Sequence, residues 1–183
     1  MWPLSLSSHK LTLTSPSEAL PGRDTPINAG EHHAVTGRPL KGPHPAHHER
    51  LILAMGCFWG AERLFWRQTG VYSTAVGYTG GYTPHPTYQE VCSGRTAHTE
   101  AVEVIYNPKE VSLNALLELF WSSHDPTQGM RQGNDLGTQY RSALFWTTEA
   151  QRGAVQRSLE RFQEALERTD KHSAEGERVT TTI

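Results

Sequence analysis

Two cysteines, Cys57 and Cys92, are the only thiols among the 183 residues of the chain. So few cysteines exclude a disulfide framework of the kind that staples small secreted domains. They are also too few for a structural zinc site unless histidines complete it. The scarcity of cysteine therefore favours a reducing compartment, and we expect the protein in the cytoplasm.

Long apolar runs and an excess of one charge are missing as well. No apolar run approaches the roughly 20 residues that a membrane-spanning helix needs. Residues 1–13 have neither the charged start nor the continuous apolar core of a signal peptide. A formal net charge of −2 gives no broad attraction to nucleic acid or to anionic lipid. We therefore expect neither a membrane nor a nucleic acid as a partner.

The first 48 residues lack a sustained helical or alternating pattern and are rich in proline, glycine, serine and threonine. Six of the ten histidines fall there without fixed spacing, so we expect solvated side chains rather than a metal site. A chain of this length accommodates one compact domain. We predict an N-terminal extension over residues 1–48, irregular or partly disordered, and one domain over residues 49–183.

Residues 51–60 carry the most informative pattern of apolar and small residues in the chain. An apolar run of strand length ends at Gly56, and apolar residues then recur at helical spacing. This pattern predicts a strand, a tight turn and a helix, with Cys57 at or near the helix N-terminus. Unpaired N–H groups and the positive end of the helix dipole favour a thiolate there, which is the nucleophilic form of cysteine. The alternative is a small buried hydrophobe, the role of most unpaired cysteines.

The other elements follow from periodicity and capping signals. Strands are predicted over residues 51–55, 71–76, 101–106, 142–146 and 179–183, and helices from Cys57 to about Gly70, over 113–121 and over 148–169. Between them lie a loop rich in glycine and tyrosine (77–88), whose tyrosines line a cavity or cover the core, and a polar loop (122–138). The order predicts an α+β fold, a two-layer α/β sandwich of ferredoxin-like kind with helices packed on a mixed sheet.

A catalytic Cys57 would need partners, and three residues are candidates. Glu100 directly precedes the predicted strand 101–106, where desolvation would raise its pKa and make it a proton donor; the alternative is a surface carboxylate. His98 is the type of base that a cysteine hydrolase uses, so a hydrolase stays open at this point. Asp135 either binds a substrate or caps a turn.

Five motifs, taken in order, resemble those of one known family, the A-type peptide methionine sulfoxide reductases. The motifs are GCFWG (56–60), GGYT with PTY (80–83 and 86–88), VCSG with HTEAV (91–94 and 98–102), HDPTQ (124–128) and QGNDLGTQYRS (132–142). The likeness covers about residues 50–146, and the first and last motifs are highly specific.

The resemblance implies an oxidoreductase reaction. Cys57 would attack the sulfur of methionine (S)-S-oxide, free or in a protein, while Glu100 protonates the departing oxygen. Methionine leaves, and Cys57 remains as a sulfenic acid, a reversible oxidation state of cysteine. The resemblance implies no metal and no organic cofactor, a monomer, and thioredoxin or another thiol as the reductant.

The resemblance also implies a substrate pocket with a polar and an apolar wall. Tyr88 and Tyr140 would hydrogen-bond the sulfoxide oxygen, and Asp135 would hold the polar side. Phe58 and Trp59 would enclose the methyl group and select the S epimer. Such a division suits a sulfoxide, which is polar at oxygen and apolar at methyl.

The chain departs from the family pattern in two places. Ala97 and Thr99 stand where the family usually has glycine and alanine, and a bulkier turn would shift Glu100. The chain ends at Ile183, where the family normally continues and often carries resolving cysteines. We therefore expect a domain truncated at its C-terminus. Either Cys92 resolves the sulfenic acid or an external thiol attacks it directly. The alternative function is an inactive or unstable domain that only binds oxidised peptides.

Overall fold

A computed structural model describes residues 10–169 and 178–183. Its strands are β1 (Glu49–Met55), β2 (Val71–Thr79), β3 (Thr99–Tyr106), β4 (Arg131–Gln132), β5 (Asp135–Leu136) and β6 (Ser142–Phe145). Its helices are α1 (Phe58–Trp66), α2 (Tyr88–Cys92), α3 (Leu113–Ser122) and α4 (Glu149–Thr169), with a short 3₁₀ helix at Thr138–Tyr140.

The main sheet has the strand order β2-β3-β1-β6, and every neighbouring pair is antiparallel. The two central strands, β1 and β3, pair from Glu49 opposite Tyr106 to Leu53 opposite Val102. With α1 joining β1 to β2 and α3 lying between β3 and β6, this is the βαββαβ arrangement that the sequence predicts. Strands β4 and β5 form a separate two-stranded hairpin.

Alternation along the strands places the main core on the face that the helices cover. Leu51 and Leu53 of β1 are fully buried, as are Phe65 of α1, Phe120 of α3 and Val155 of α4. These residues belong to one apolar cluster. The predicted two-layer α+β sandwich is therefore confirmed, with α1, α3 and α4 as its helical layer.

Several element boundaries differ from the sequence predictions. Helix α1 ends at Trp66, several residues earlier than expected, and β2 runs on to Thr79. Glu100 lies inside β3 rather than before it, because the strand already begins at Thr99. The β4–β5 hairpin lies in the segment predicted as a polar loop. Helix α2 starts at the last residue of the other predicted loop and continues through residues for which no element was predicted.

The predicted strand over residues 179–183 is reduced to a single bridge. Thr182 pairs in parallel with Ala143 of β6, and its amide donates to the Ser142 carbonyl over 3.1 Å. The Leu144 amide in turn donates to the Thr182 carbonyl over 2.9 Å. This bridge is the parallel contact that makes the sheet mixed.

Residues 10–48 contact the domain at several points. The Leu20 amide donates to the Arg95 carbonyl over 2.9 Å, and Arg23 forms an ion pair with Glu90 over 2.9 Å. His33 is 5% exposed and hydrogen-bonds Thr74 over 2.9 Å, so the expectation of solvated histidines is wrong there. His9 lies outside the described residues. Within residues 10–169 and 178–183, no group of three or more metal-binding side chains occurs, and no helix could span a bilayer.

Candidate active site

The turn between β1 and α1 presents Cys57 at the start of the helix. Gly56 has φ +90°, a left-handed conformation that glycine adopts most readily. A Cβ atom there would also lie 2.7 Å from side-chain carbons of Gln132 on β4. Cys57 itself is exposed and occupies the N-cap position of α1, as the sequence predicts.

Glu100 lies directly against this turn. Its Oε2 accepts a hydrogen bond from the Phe58 amide over 3.1 Å, and that amide belongs to the residue after Cys57. The side chain is only 3% exposed, so the alternative of a surface carboxylate is wrong. Burial raises the pKa of Glu100, and the negative charge of Asp135 adds to this effect, while the Phe58 hydrogen bond opposes it. The carboxyl group therefore keeps its proton to a higher pH than usual.

A cavity of about 310 Å³ opens beside Cys57. Its lining consists of Cys57, Phe58, Trp59, Tyr88, Glu100 and Tyr140. These six come from the start of α1, the start of α2, strand β3 and the 3₁₀ helix, so the fold brings together residues that lie far apart in sequence. The lining combines carboxyl and hydroxyl groups with the rings of Phe58 and Trp59. Trp59 is 76% exposed, so the cavity is open to solvent beside its ring.

The tyrosines near the cavity are held in their protonated form. Burial raises the pKa of Tyr140 to about 12, and the nearby Glu100 charge contributes. A hydrogen bond to the Cys92 thiol raises the pKa of Tyr88, which is on the exposed rim of the cavity. Both hydroxyl groups are therefore hydrogen-bond donors at neutral pH.

Asp135 is near the cavity but does not line it. It lies at the start of β5 and is exposed to solvent. Its charge acts on both Glu100 and Tyr140, raising the pKa of each. Asp135 therefore acts on the polar groups of the cavity through its charge and does not form part of the cavity lining.

His98 does not pair with Cys57. Its Nε2 lies 2.8 Å from the Thr83 carbonyl, and its Nδ1 accepts from the Gly81 amide over 3.2 Å. Both ring nitrogens are engaged by backbone, and the ring is 9% exposed. The hydrolase interpretation therefore loses its base, because a base that activates Cys57 needs a nitrogen within reach of the thiol.

Cys92 ends α2, four positions after Tyr88, and is half-buried. It interacts with the Tyr88 hydroxyl but is not part of the cavity lining. Both cysteines are unpaired in the structure.

Tyr78 is a neighbour of the site that the sequence did not single out. Its ring lies 5.8 Å from that of Phe58, and burial followed by the Glu100 charge raises its pKa to about 12. The signal that pointed to it was the density of tyrosine in residues 77–88. That signal could not separate Tyr78, beside the cavity, from Tyr82, which is 54% exposed.

Comparison with known proteins connects this arrangement to a family. The profile described as "Peptide methionine sulfoxide reductase" matches residues 49–181. The chain is 55% identical over 161 residues to the peptide methionine sulfoxide reductase MsrA of Ectopseudomonas mendocina, covering 88% of this chain and 74% of that protein.

Solved structures agree. Methionine sulfoxide reductase A of Corynebacterium diphtheriae matches with a TM-score of 0.83 and 41% identity, over 93% of this chain and 78% of that one. Mxr1 of Saccharomyces cerevisiae in complex with Trx2 matches with a TM-score of 0.52 and 25% identity, over 76% and 82%. The profile match over most of the chain and the high identity to a relative lead to one conclusion: the chain belongs to the peptide methionine sulfoxide reductase family.

Proposed function

We propose that the protein reduces methionine (S)-S-oxide to methionine, with Cys57 as the nucleophile and Glu100 as the acid. The observation that carries this proposal is the hydrogen bond between the Glu100 carboxyl group and the Phe58 amide. It holds the proton donor beside the residue that follows the thiol, in one cavity of about 310 Å³.

The reaction is a two-electron transfer. The Cys57 thiol sulfur attacks the sulfoxide sulfur and forms an S–S bond, while the oxygen takes the thiol proton and the Glu100 proton and leaves as water. Water then attacks the Cys57 sulfur and breaks the S–S bond, which releases methionine, returns a proton to Glu100 and leaves the oxygen on Cys57 as a sulfenic acid. Methionine sulfur gains the two electrons that Cys57 loses. Oxygen is a poor leaving group unless it is protonated, and the buried Glu100 carboxyl group, whose raised pKa lets it keep its proton to a higher pH than usual, supplies that proton.

The cavity walls support the roles proposed for the remaining residues. Tyr88 and Tyr140 carry protonated hydroxyl groups that donate to the sulfoxide oxygen as its charge develops. Burial raises the pKa of Glu100, and the charge of Asp135 adds to this effect. Phe58 and Trp59 provide the apolar wall for the methyl group and thereby select the S epimer.

Two substitutions test these assignments with dithiothreitol as the reductant. We expect Cys57→Ser to abolish turnover of methionine (S)-S-oxide. Glu100→Gln keeps an acceptor for the Phe58 amide but has no acidic proton to transfer, so we expect kcat to fall at least 100-fold. The R epimer serves as the control substrate and should remain unreduced. Turnover by Cys57→Ser would refute the proposed nucleophile.

We further propose that thioredoxin or another thiol reduces the Cys57 sulfenic acid directly. The yeast relative that was solved in complex with Trx2 supports a thioredoxin. The half-buried Cys92, engaged by Tyr88, supports a non-resolving role for the second cysteine. Cys92→Ser should therefore keep thioredoxin-dependent turnover within about twofold. Loss of that turnover, with dithiothreitol activity retained, would instead identify Cys92 as the resolving cysteine.

We also infer that the protein acts as a monomer in the cytoplasm. The two unpaired cysteines fit a reducing compartment, where thiols stay reduced.

A further inference from the structure

Two separate segments place the proposed acid and one of its tyrosine partners, and buried polar groups join these segments. Thr99 precedes Glu100 on β3 and is completely buried. Its hydroxyl lies 3.0 Å from the Gln139 carbonyl and 3.2 Å from the Arg141 carbonyl, on either side of Tyr140. The hydroxyl proton thus links the backbone beside Glu100 to the backbone on both sides of Tyr140.

Arg141 makes a second link between the same segments. Its Nη1 donates to the Thr138 carbonyl over 2.8 Å, and its Nη2 donates to the Ala97 carbonyl over 3.0 Å. One planar guanidinium therefore donates hydrogen bonds to a carbonyl group of each segment at the same time. A lysine side chain does not reproduce this geometry.

The guanidinium has an unusual environment for a charged group. Arg141 is 5% exposed, and no salt bridge to it is found in the described part of the chain. Its Nε also lacks a hydrogen-bond partner there. Burial lowers the pKa of Arg141 to about 10. Burying a cation without a carboxylate is unfavourable, so the two carbonyl contacts are what hold it in place.

The turn that Arg141 holds is itself strained. Ala97 has φ +58° and is 3% exposed. The left-handed region is disfavoured for a residue with a Cβ atom, so this turn needs outside contacts to persist. The Ala97 carbonyl contact to Arg141 and the Thr99 hydroxyl contacts flank this turn and the start of β3.

We propose that Thr99 and Arg141 are positioning residues that fix Glu100 relative to Tyr140. The proposal rests on the roles assigned above to Glu100 and Tyr140. Neither residue lines the cavity, so each acts through the backbone that carries the reacting groups. A displacement of about 1 Å in such groups can cost on the order of 100-fold in rate, so a loosened link should reduce the rate of the chemical step.

A pair of substitutions at Thr99 provides the test. Thr99→Val keeps the volume and removes the hydroxyl, whereas Thr99→Ser keeps the hydroxyl and removes a methyl group. We expect Thr99→Val to lower kcat by about 10-fold with KM within about twofold, and Thr99→Ser to stay within about threefold of the wild type. The amplitude of a single turnover without reductant counts the active sites and corrects for any misfolded fraction.

Arg141→Lys tests the second link, since it retains the cation but not the fork. It should reproduce the Thr99→Val pattern, a lower kcat with little change in KM. Equal kcat for Thr99→Val and the wild type, or equal losses in the valine and serine variants, would overturn the proposal even if Arg141→Lys does not fold.

Glu100→Gln separates this proposal from the one on which it rests. An inactive Glu100→Gln together with a fully active Thr99→Val would reject only the positioning role. An active Glu100→Gln would reject the acid role itself, and the positioning proposal would fail with it.

Discussion

At the scale of single residues, Glu100 shows a conflict between chemistry and stability. The side chain is 3% exposed, and burial, the largest cause, raises its pKa. A carboxyl group whose pKa is raised by folding contributes its stability below the unfolded pKa of about 4.3 and loses it as the pH rises through the folded pKa. Above the folded pKa, ionised Glu100 therefore costs stability that an uncharged side chain would not.

This cost can be measured with Glu100→Gln. The glutamine side-chain oxygen can still accept a hydrogen bond from the Phe58 backbone N–H, but the side chain never ionises. We expect the variant to melt at a higher temperature than the wild type at pH 8, and the difference to shrink toward pH 4. Thermal melting at intervals across that range is the measurement. A difference that is independent of pH would contradict the explanation, because no titrating group would then be involved.

Ala97 is a second residue that lowers the stability of the fold, in this case through its backbone conformation. Its φ of +58° costs roughly 1–2 kcal/mol relative to glycine. Glycine also lowers the free energy of unfolding by about 0.4–1 kcal/mol, because it makes the unfolded chain more flexible. We therefore expect Ala97→Gly to raise the free energy of unfolding by about 0.5–1 kcal/mol, measured by urea denaturation.

A matched control for this change is Ala154→Gly in the second turn of α4. The same substitution in a helix should lower the free energy of unfolding by about 1 kcal/mol. If both glycine variants are destabilised, the strain assigned to Ala97 is wrong.

At the scale of elements, the short helix α2 controls one wall of the cavity. Tyr88 is its first residue, and Thr87 and Glu90 form a capping box at its start. The Thr87 amide donates to Glu90 over 2.7 Å, and the Glu90 amide donates to the Thr87 hydroxyl over 3.3 Å. A helix of five residues has little stability of its own, so this cap decides whether Tyr88 stays in place.

Thr87→Ala should therefore affect both stability and catalysis. Loss of an N-cap costs about 1 kcal/mol, and the loosened Tyr88 should reduce kcat/KM about fivefold. The control is Ser112→Ala, which removes the N-cap of α3, where the Ser112 hydroxyl accepts from the Ala115 amide over 3.1 Å. It should cost similar stability but leave kcat/KM unchanged. Equal kinetic losses in the two variants would indicate general destabilisation.

The lengths of the secondary-structure elements explain which of them could be predicted from the sequence. Strand β1 was predicted from a continuous apolar run that ends at Gly56. Helix α3 was predicted because it is long enough for a hydrophobic period to show and has Ser112 as its cap. Helix α2 and hairpin β4–β5 were missed because elements of five and two residues are too short for any period. The residues that line the cavity all belong to the motifs, whereas Tyr78 and the links from Thr99 and Arg141 depend on contacts between distant segments.

At the scale of the whole molecule, His33 is one of the contacts that hold residues 10–48 against the domain. Its Nδ1 accepts from the Val35 and Thr36 amides over 3.1 and 3.2 Å. Its Nε2 lies 2.9 Å from the Thr74 hydroxyl, which donates to Glu62 of α1 over 2.9 Å. Composition alone predicted a solvated histidine, because the pairing with Thr74 spans 41 residues and leaves no local signal.

The role of His33 leads to a prediction about the extension. His33→Ala removes the acceptor of two backbone amides and the contact to Thr74, so we expect the free energy of unfolding to fall by about 1–3 kcal/mol. Cleavage by trypsin after Lys41 should become faster, because this residue follows the released turn and is not followed by proline. His32→Ala is the matched control, since the neighbouring His32 is exposed and should change stability by less than about 0.5 kcal/mol. Equal cleavage rates in the two variants would show that the extension is held by its other contacts, such as the Arg23–Glu90 ion pair, rather than by His33.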